Sequence, residues 1–412
     1  MIRLFLFISF IWCCDNGFQK INDQCYYKKD LEFLTKLIQN SQPNNNPPPF
    51  NLNPLRLGFQ IWERGRLVEF CSSISTNTEC RMNYSLSGKI PIQIGNLIEL
   101  RKLSLESNSM TGLIPKEIKN LIKLKELKLS SNQFSGILPE GLFELINLEI
   151  LALNSNSFSG IISEKIIKLK NLKWIYFASN YFSGEIPSSL GNIGTITYLN
   201  LSNNNLEGII PKELGNLSKL QYLNLSENKL SGRIPSELGK LNLYRLNLEF
   251  NRLNGLIPSE LGNLKNIVDL DLESNNLNGS IPPSIFLLNK LVKLELHNNN
   301  LTGNLPTEYG LESLKELNLT NNNISGGIPE KLGNMENLKI LNLSFNKFSG
   351  YVSSSLISGN LEVLLLQMNQ LSGNISNEIC NNNFKEILIY GNLFCPPFPD
   401  CIKYIGQQKC EF

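Results

Sequence analysis

The stretch Leu220-Gln-Tyr-Leu-Asn-Leu-Ser-Glu-Asn-Lys-Leu-Ser-Gly-Arg-Ile-Pro-Ser-Glu-Leu-Gly-Lys-Leu241 decides the fold. In Leu223-Asn-Leu225 apolar and polar residues alternate, the pattern of a strand with one buried face. Leu230, Ile234, Leu238 and Leu241 then point inward from the returning segment. One such unit cannot bury all its apolar side chains alone; it needs a similar unit on each side. The sequence supplies them. The Asn of this unit, Asn228, recurs at 108, 132, 156, 180, 204, 251, 275, 299, 322, 346, 369 and 392, always 23 or 24 residues apart. Gly stands four residues after the Asn in the first twelve units, as at Gly208, Gly232 and Gly255, where a turn demands permissive φ. Pro stands seven residues after it in most units (Pro115, Pro187, Pro211, Pro235), limiting helix on the return; Ser163, Ser353 and Ser376 replace it in three. A buried Asn just after each strand carries a donor and an acceptor for backbone groups freed by the bend. Repetition on this scale marks a structural residue, not a catalytic one.

Outside the repeat, the 412 residues are 42% hydrophobic and 18% charged, ample for a large core. Length alone suggests two or three globular domains, but a solenoid grows by adding units. With 38 basic and 36 acidic residues the net charge is +2, which gives no electrostatic reason to expect nucleic acid or an anionic membrane. Residues 1–14 combine Arg3 with a short apolar run and are expected to be a secretory signal peptide, its exact end left open by Cys13 and Cys14. No later stretch approaches the ~20 apolar residues of a spanning helix, so the mature chain is expected to be secreted and soluble.

Cysteines agree with an oxidising compartment. Cys25, Cys71 and Cys80 lie near one end, Cys380, Cys395, Cys401 and Cys410 near the other, and 81–379 holds none. Such placement suits a solenoid whose terminal units need covering. No Cys-x-x-Cys pair exists and His297 is the only histidine, so no metal and no cofactor is expected. The divisions expected are a leader at 1–14, an N-terminal cap at 15–85, repeats at 86–379, and a C-terminal cap with the last repeat at 380–412.

Segments such as Leu206-Glu-Gly-Ile-Ile-Pro-Lys-Glu-Leu-Gly-Asn-Leu217 make the resemblance specific. Over residues 86–394 the chain resembles the plant-type leucine-rich-repeat family, as found in receptor-like kinase ectodomains and polygalacturonase-inhibiting proteins. The resemblance implies an α/β fold, a right-handed solenoid with one curved parallel sheet on its concave face and little helix on the convex face. It also implies a second short strand following the Gly, and ligands on the concave face. Asp30-Leu-Glu-Phe-Leu-Thr-Lys-Leu-Ile38 has helical apolar spacing and, with Trp62, Cys71 and Cys80, looks like the family's N-terminal cap. It departs in the insert 41–49, whose Pro and Asn content is that of a segment unable to order itself, and at Tyr84, where the first Asn is due. The resemblance suggests the pairs Cys71–Cys80, Cys395–Cys401 and Cys380–Cys410, with Cys25 left over unless cleavage precedes Cys14; connectivity itself is not fixed by sequence.

Because strand positions alternate, residues flanking the strand leucines form exposed columns. On neighbouring strands these gather Trp174, Tyr176, Tyr198, Tyr222 and Tyr244, then Arg245, then Glu249, Asp269, Asp271, Glu273 and Glu295. Amphipathic rings on a rigid surface are common binding anchors, and the acidic group favours a ligand carrying Lys or Arg; rings equally stack on sugars. The plain reading is that an exposed sheet tolerates such residues. Paired carboxylates also raise a glycosidase reading, but a pocket able to raise one carboxyl's pKa is not evident in the sequence, so no catalytic residue is expected.

Ten Asn-x-Ser/Thr sequons occur. Glycan is expected at Asn83, Asn216, Asn278, Asn300, Asn323 and Asn374, and less at Asn200, Asn224, Asn318 and Asn342, which fall on the concave sheet. The function expected is extracellular, non-enzymatic recognition of a protein, peptide or polysaccharide, one version being inhibition of a wall-degrading enzyme. The alternative is the ligand-binding subunit of a cell-surface receptor complex. A structural or ice-binding surface is more remote. The oligomeric state is not legible.

Overall fold

The computed structural model describes residues 14–74, 80, 82–382 and 384–410. The expected leader lies outside the described residues except for Cys14. The chain forms two compact units, Met1–Ile150 and Leu151–Phe412.

In the first unit a hairpin, Phe18–Ile21 with Gln24–Tyr27, leads into the helix Lys28–Asn40, which buries Phe33, Leu34, Leu37 and Ile38. A second hairpin, Phe59–Glu63 with Arg66–Cys71, ends on the strand that begins the parallel sheet: Arg66–Cys71 pairs with Lys102–Ser104, and that with Glu126–Lys128. Asp30, fully buried in the helix, accepts two bonds from Arg66 (2.9 and 3.0 Å) and one from the Leu67 amide (2.9 Å). Burial raises its pKa, and the Arg66 and Leu67 bonds act against that rise. The insert 41–49 is ordered. Asn44 and Asn46 donate to the Ser85 and Asn83 carbonyls (2.9 and 2.7 Å), and the Asn46 carbonyl accepts from the Ser85 amide. The amide side chains that suggested disorder tie the insert to the first repeat.

In the second unit three-residue strands stack in parallel, one per repeat. Trp174–Tyr176 pairs with Tyr198–Asn200, then follow Tyr222–Asn224, Arg245–Asn247, Asp269–Asp271, Lys293–Glu295 and Glu316–Asn318. A second strand in most repeats, four or five residues long in Lys229–Gly232 and Asn205–Ile209, runs up to and through the Gly rather than after it. The return is a five-residue 3-10 turn opened by Pro, such as Lys212–Asn216 after Pro211. Where Ser163 and Ser376 replace Pro, their hydroxyls accept from the amide two residues on, so the turn keeps its geometry.

Asn228 shows why the Asn recurs. Its Nδ2 donates to the carbonyls of Leu201 (3.0 Å), Leu225 (3.2 Å) and Ser226 (3.0 Å), and its Oδ1 accepts from the Leu206 amide (3.0 Å). One side chain thus satisfies its own turn and the preceding repeat. The residue before it is left-handed in every repeat from Ser107 (φ 53°) to Met368 (φ 58°), a feature the sequence reading passed over.

The disulfides are Cys14–Cys25, Cys71–Cys80, Cys380–Cys401 and Cys395–Cys410. This corrects the expected Cys395–Cys401 and Cys380–Cys410 pairs and gives Cys25 a partner. Cys380 lies in the last 3-10 turn and Cys395 just after the last short strand, with Cα separations to their actual partners of 5.5 and 4.7 Å. Proximity across neighbouring turns, not nearness in sequence, sets the pairing.

Candidate functional site

The exposed face of the sheet in the second unit brings the aromatic residues together. Parallel pairing places Trp174 beside Tyr198, Tyr198 beside Tyr222, and Tyr222 beside Arg245. The rings form a continuous ladder: Tyr176 to Tyr198 at 4.6 Å, Tyr198 to Tyr222 at 5.5 Å, and Tyr222 to Tyr244 at 6.1 Å between centroids. Interplanar angles of 34° to 38° keep the rings tilted alike, which fixes their orientation before any ligand arrives. Trp174, Tyr222 and Tyr244 are exposed; Tyr176 and Tyr198 are half-buried.

Beside the ladder lies the acidic group. Arg245 pairs with Asp269 at 3.0 Å across adjacent strands, and Lys293 pairs with Glu295 at 3.2 Å. Asp271 is only 4% exposed and Glu295 only 2%. Burial pushes the Asp271 carboxyl up to about 7, and Glu249, Glu273 and Glu295 push the same way against the one bond it accepts from the Glu273 amide (3.2 Å). Burial likewise raises Asp269 and Glu273. For Glu295, burial is outweighed by the bonds from His297 and Lys293, and its pKa falls below the usual carboxylate value.

His297 is not a lone surface histidine. Its Nε2 meets Glu273 at 2.7 Å and its Nδ1 meets Glu295 at 3.0 Å. Burial disfavours its charge, yet Glu295 and Glu273 prevail and raise its pKa, so the two carboxylates favour the imidazolium form. The sets Glu273, Glu295, His297 and Glu249, Asp271, Glu273 each bring ligand atoms within 4.8 Å of one another. In the first set both His297 ring nitrogens already face carboxylate oxygens, and Nδ1 also lies 3.1 Å from Asn318 Nδ2.

Every residue singled out from the sequence as ligand-binding therefore lies on one stretch of sheet face, with Asp271 and Glu295 sunk into it rather than exposed. Two contributors were missed. His297 looked isolated because Glu273 sits one strand away, at the spacing of the repeat; Glu295 lies two residues before it in its own repeat. Phe250 occupies the left-handed position before Asn251 (φ 50°), next to Glu249, and is 52% exposed. A bulky aromatic side chain where the preceding repeat carries Glu227 and the next two carry Ser274 and Asn298 is the signal that was available.

The repeat geometry has its counterpart in known families. Two sequence profiles, both described as leucine rich repeat, match the chain: one at residues 98–158 and 170–230, the other at 242–264, 266–288, 290–310, 313–335 and 337–358. The chain belongs to the leucine-rich-repeat family. No curated protein matched this leucine-rich-repeat chain in a sequence comparison. Solved structures did. The plant peptide hormone receptor RGFR1, solved in complex with RGF2, is 35% identical with a TM-score of 0.69, covering 76% of this chain and 54% of that one. The ectodomain of the membrane receptor kinase GASSHO1/SCHENGEN3 from Arabidopsis thaliana, solved with CASPARIAN STRIP INTEGRITY FACTOR 2, is 31% identical with a TM-score of 0.76, covering 89% and 47%. A leucine-rich-repeat protein of Leptospira interrogans is 30% identical with a TM-score of 0.60, covering 76% and 86%. The leucine-rich-repeat chain spans about half the length of the two plant ectodomains. Its repeats are of the plant type and its fold is the α/β leucine-rich-repeat solenoid.

Proposed function

We propose that this protein is a non-enzymatic extracellular recognition protein whose sheet face, from Trp174 to His297, binds a peptide or protein segment through the tyrosine ladder and takes a Lys or Arg side chain beside it. The observation that carries the reading is the continuous ladder of ring contacts from Tyr176 to Tyr244, with Arg245 paired to Asp269 beside it and buried Asp271 and Glu295 on the next two strands. Exposed rings held at fixed tilt lose little freedom on binding, and a cation gains most where carboxylates are already desolvated. That RGFR1 and GASSHO1/SCHENGEN3 were each solved with a peptide hormone or named factor supports a polypeptide over a polysaccharide. Four disulfides support an extracellular setting. Among the described residues no helix is long and apolar enough to cross a membrane.

Selection from a random peptide display library tests the proposal. Recovered peptides should be rich in Lys or Arg near an aromatic or Pro residue, and binding should fall at least about tenfold in Tyr198→Ala/Tyr222→Ala and in Asp271→Asn. Acidic peptides among the winners, or unchanged binding by either variant, defeat it. Adding a polygalacturonase to the same assay checks the enzyme-inhibitor version.

A further inference from the structure

A second exposed feature of the Leu151–Phe412 unit lies away from the sheet face, on the short strands that run through the glycines. The residue after each Gly forms an outward row: Ile161, Glu185, Ile209, Arg233 and Leu256. Ile161 is 68% exposed, Ile209 and Leu256 62% each. These side chains do not wave freely. Each lies across the glycine of the next repeat, so a Cβ at Gly208 would stand 2.8 Å from Glu185 Cγ, one at Gly232 2.9 Å from Ile209 Cγ2, and one at Gly255 3.1 Å from Arg233 Cγ. The glycines, with φ of 80°, 75° and 79°, therefore serve twice: they permit the turn and they bed the preceding side chain. The flanking column is mostly small, with Ser183, Ser231 and Asn254, while on the other side Ile161, Glu185, Ile209 and Arg233 line a shallow groove with Lys212 and Glu213. The flanking column's one acid there, Glu207, has Lys229 as its cross-strand neighbour.

The order of the row is the informative part. It is apolar, acidic, apolar, basic, apolar, and it is self-complementary when reversed. Turned end for end about Ile209, a second row sets Glu185 against Arg233 twice, Ile161 against Leu256 twice, and Ile209 against itself. Neither Glu185 nor Arg233 has an ion-pair partner within the chain among the described residues, and two strand spacings of ~4.8 Å keep them apart. Charges left unpaired on an otherwise apolar row are satisfied by this one arrangement. A two-fold, isologous contact requires that kind of self-complementarity.

We infer that two copies of this chain associate through the row Ile161–Glu185–Ile209–Arg233–Leu256, antiparallel about Ile209, with paired Glu185–Arg233 bridges. The row spans four strand spacings, roughly 19 Å, so the contact is that of a weak, concentration-dependent dimer. It leaves the tyrosine ladder, which lies on the other sheet, open on both copies. Dimerisation would present two recognition faces at once and strengthen binding to a repeated or dimeric ligand.

The charge pattern makes the test specific. Sedimentation velocity of the full secreted chain over a wide concentration range reads the dimer. Glu185→Arg and Arg233→Glu each place two like-charge pairs in the contact, and each should weaken self-association at least about tenfold. The double variant Glu185→Arg/Arg233→Glu should recover it to within about threefold. An equimolar mixture of the two single variants should form a mixed dimer, because each restores the partner charge the other lost. Both residues are exposed, so thermal unfolding should be unchanged in all variants. Wild type that stays monomeric at ~1 mM, single variants that associate like wild type, or a mixture that fails to associate where wild type does, each overturns the inference. Peptide binding by the single variants should be unaffected, which separates this result from the recognition reading.

Discussion

Asp271→Asn should make the protein more stable at neutral pH and flatten its stability between pH 4.5 and 6.5. The Asp271 carboxyl is 4% exposed and sits at about 7, against about 3.9 in an unfolded chain. Below pH ~4 both states hold the proton, and the group adds no pH dependence. From there to about 7 the unfolded chain releases its proton while the folded one keeps it, so stability falls as pH rises. At ~1.36 kcal/mol per unit the full displacement is worth about 4 kcal/mol; with Glu249, Glu273 and Glu295 sharing the titration, about 2–4 kcal/mol is expected. The amide keeps the acceptor for the Glu273 amide (3.2 Å) and removes the buried charge. Burial also raises Asp30, Asp269 and Glu273, so they too lose stability as pH climbs through the window, but both proteins carry them and the difference in slope reports Asp271. The raised His297 contributes stability that is lost only as pH climbs through a value above 6.5, and the lowered Glu295 contributes stability lost only as pH drops below 4.5. Denaturant unfolding of wild type and variant at half-unit steps from pH 4.5 to 7 measures the difference in slope. A variant that is less stable than wild type at pH 7, or that keeps the wild-type slope, refutes the claim that a desolvated carboxyl stores this energy. The same substitution should abolish capture of a Lys- or Arg-bearing peptide, so stability and binding move in opposite directions, as expected of a residue retained for function.

Three further outcomes follow from the geometry. Asn228→Ala strips four hydrogen bonds from buried backbone groups of two repeats and should cost about 2–4 kcal/mol, with loss of two-state unfolding as neighbouring repeats open first; a cost under about 1 kcal/mol in chemical denaturation contradicts the role given to the Asn. Glycopeptide mass spectrometry should find Asn216 and Asn278, both exposed, occupied. Asn200 and Asn224, whose Oδ1 atoms accept from the Ser202 and Ser226 amides (3.0 and 2.9 Å) on the ligand face, should be bare; full occupancy there rules out a ligand on that face. Non-reducing peptide mapping should recover Cys380 linked to Cys401 and Cys395 to Cys410, and finding Cys395 joined to Cys401 would reverse the assignment.

The amino-acid sequence by itself determined the repeat, the strand of each unit, the buried Asn and the positive-φ Gly, and hence that Tyr198 and Tyr222 are neighbours: in parallel strands one repeat of sequence becomes one strand spacing of ~4.8 Å. It could not determine how deep a side chain on that face sits. Asp271 and Tyr176 hold the same position of the repeat, yet one is enclosed with a carboxyl near 7 and the other is half-exposed, because enclosure depends on which residues the adjacent strands bring alongside. Only the tertiary structure joined His297 to Glu273 and Glu295, ordered the 41–49 insert through Asn44 and Asn46, and crossed the C-terminal disulfides. Periodicity fixes the address of a residue in a solenoid. Charge, burial and covalent pairing depend on contacts between addresses, which are made in three dimensions.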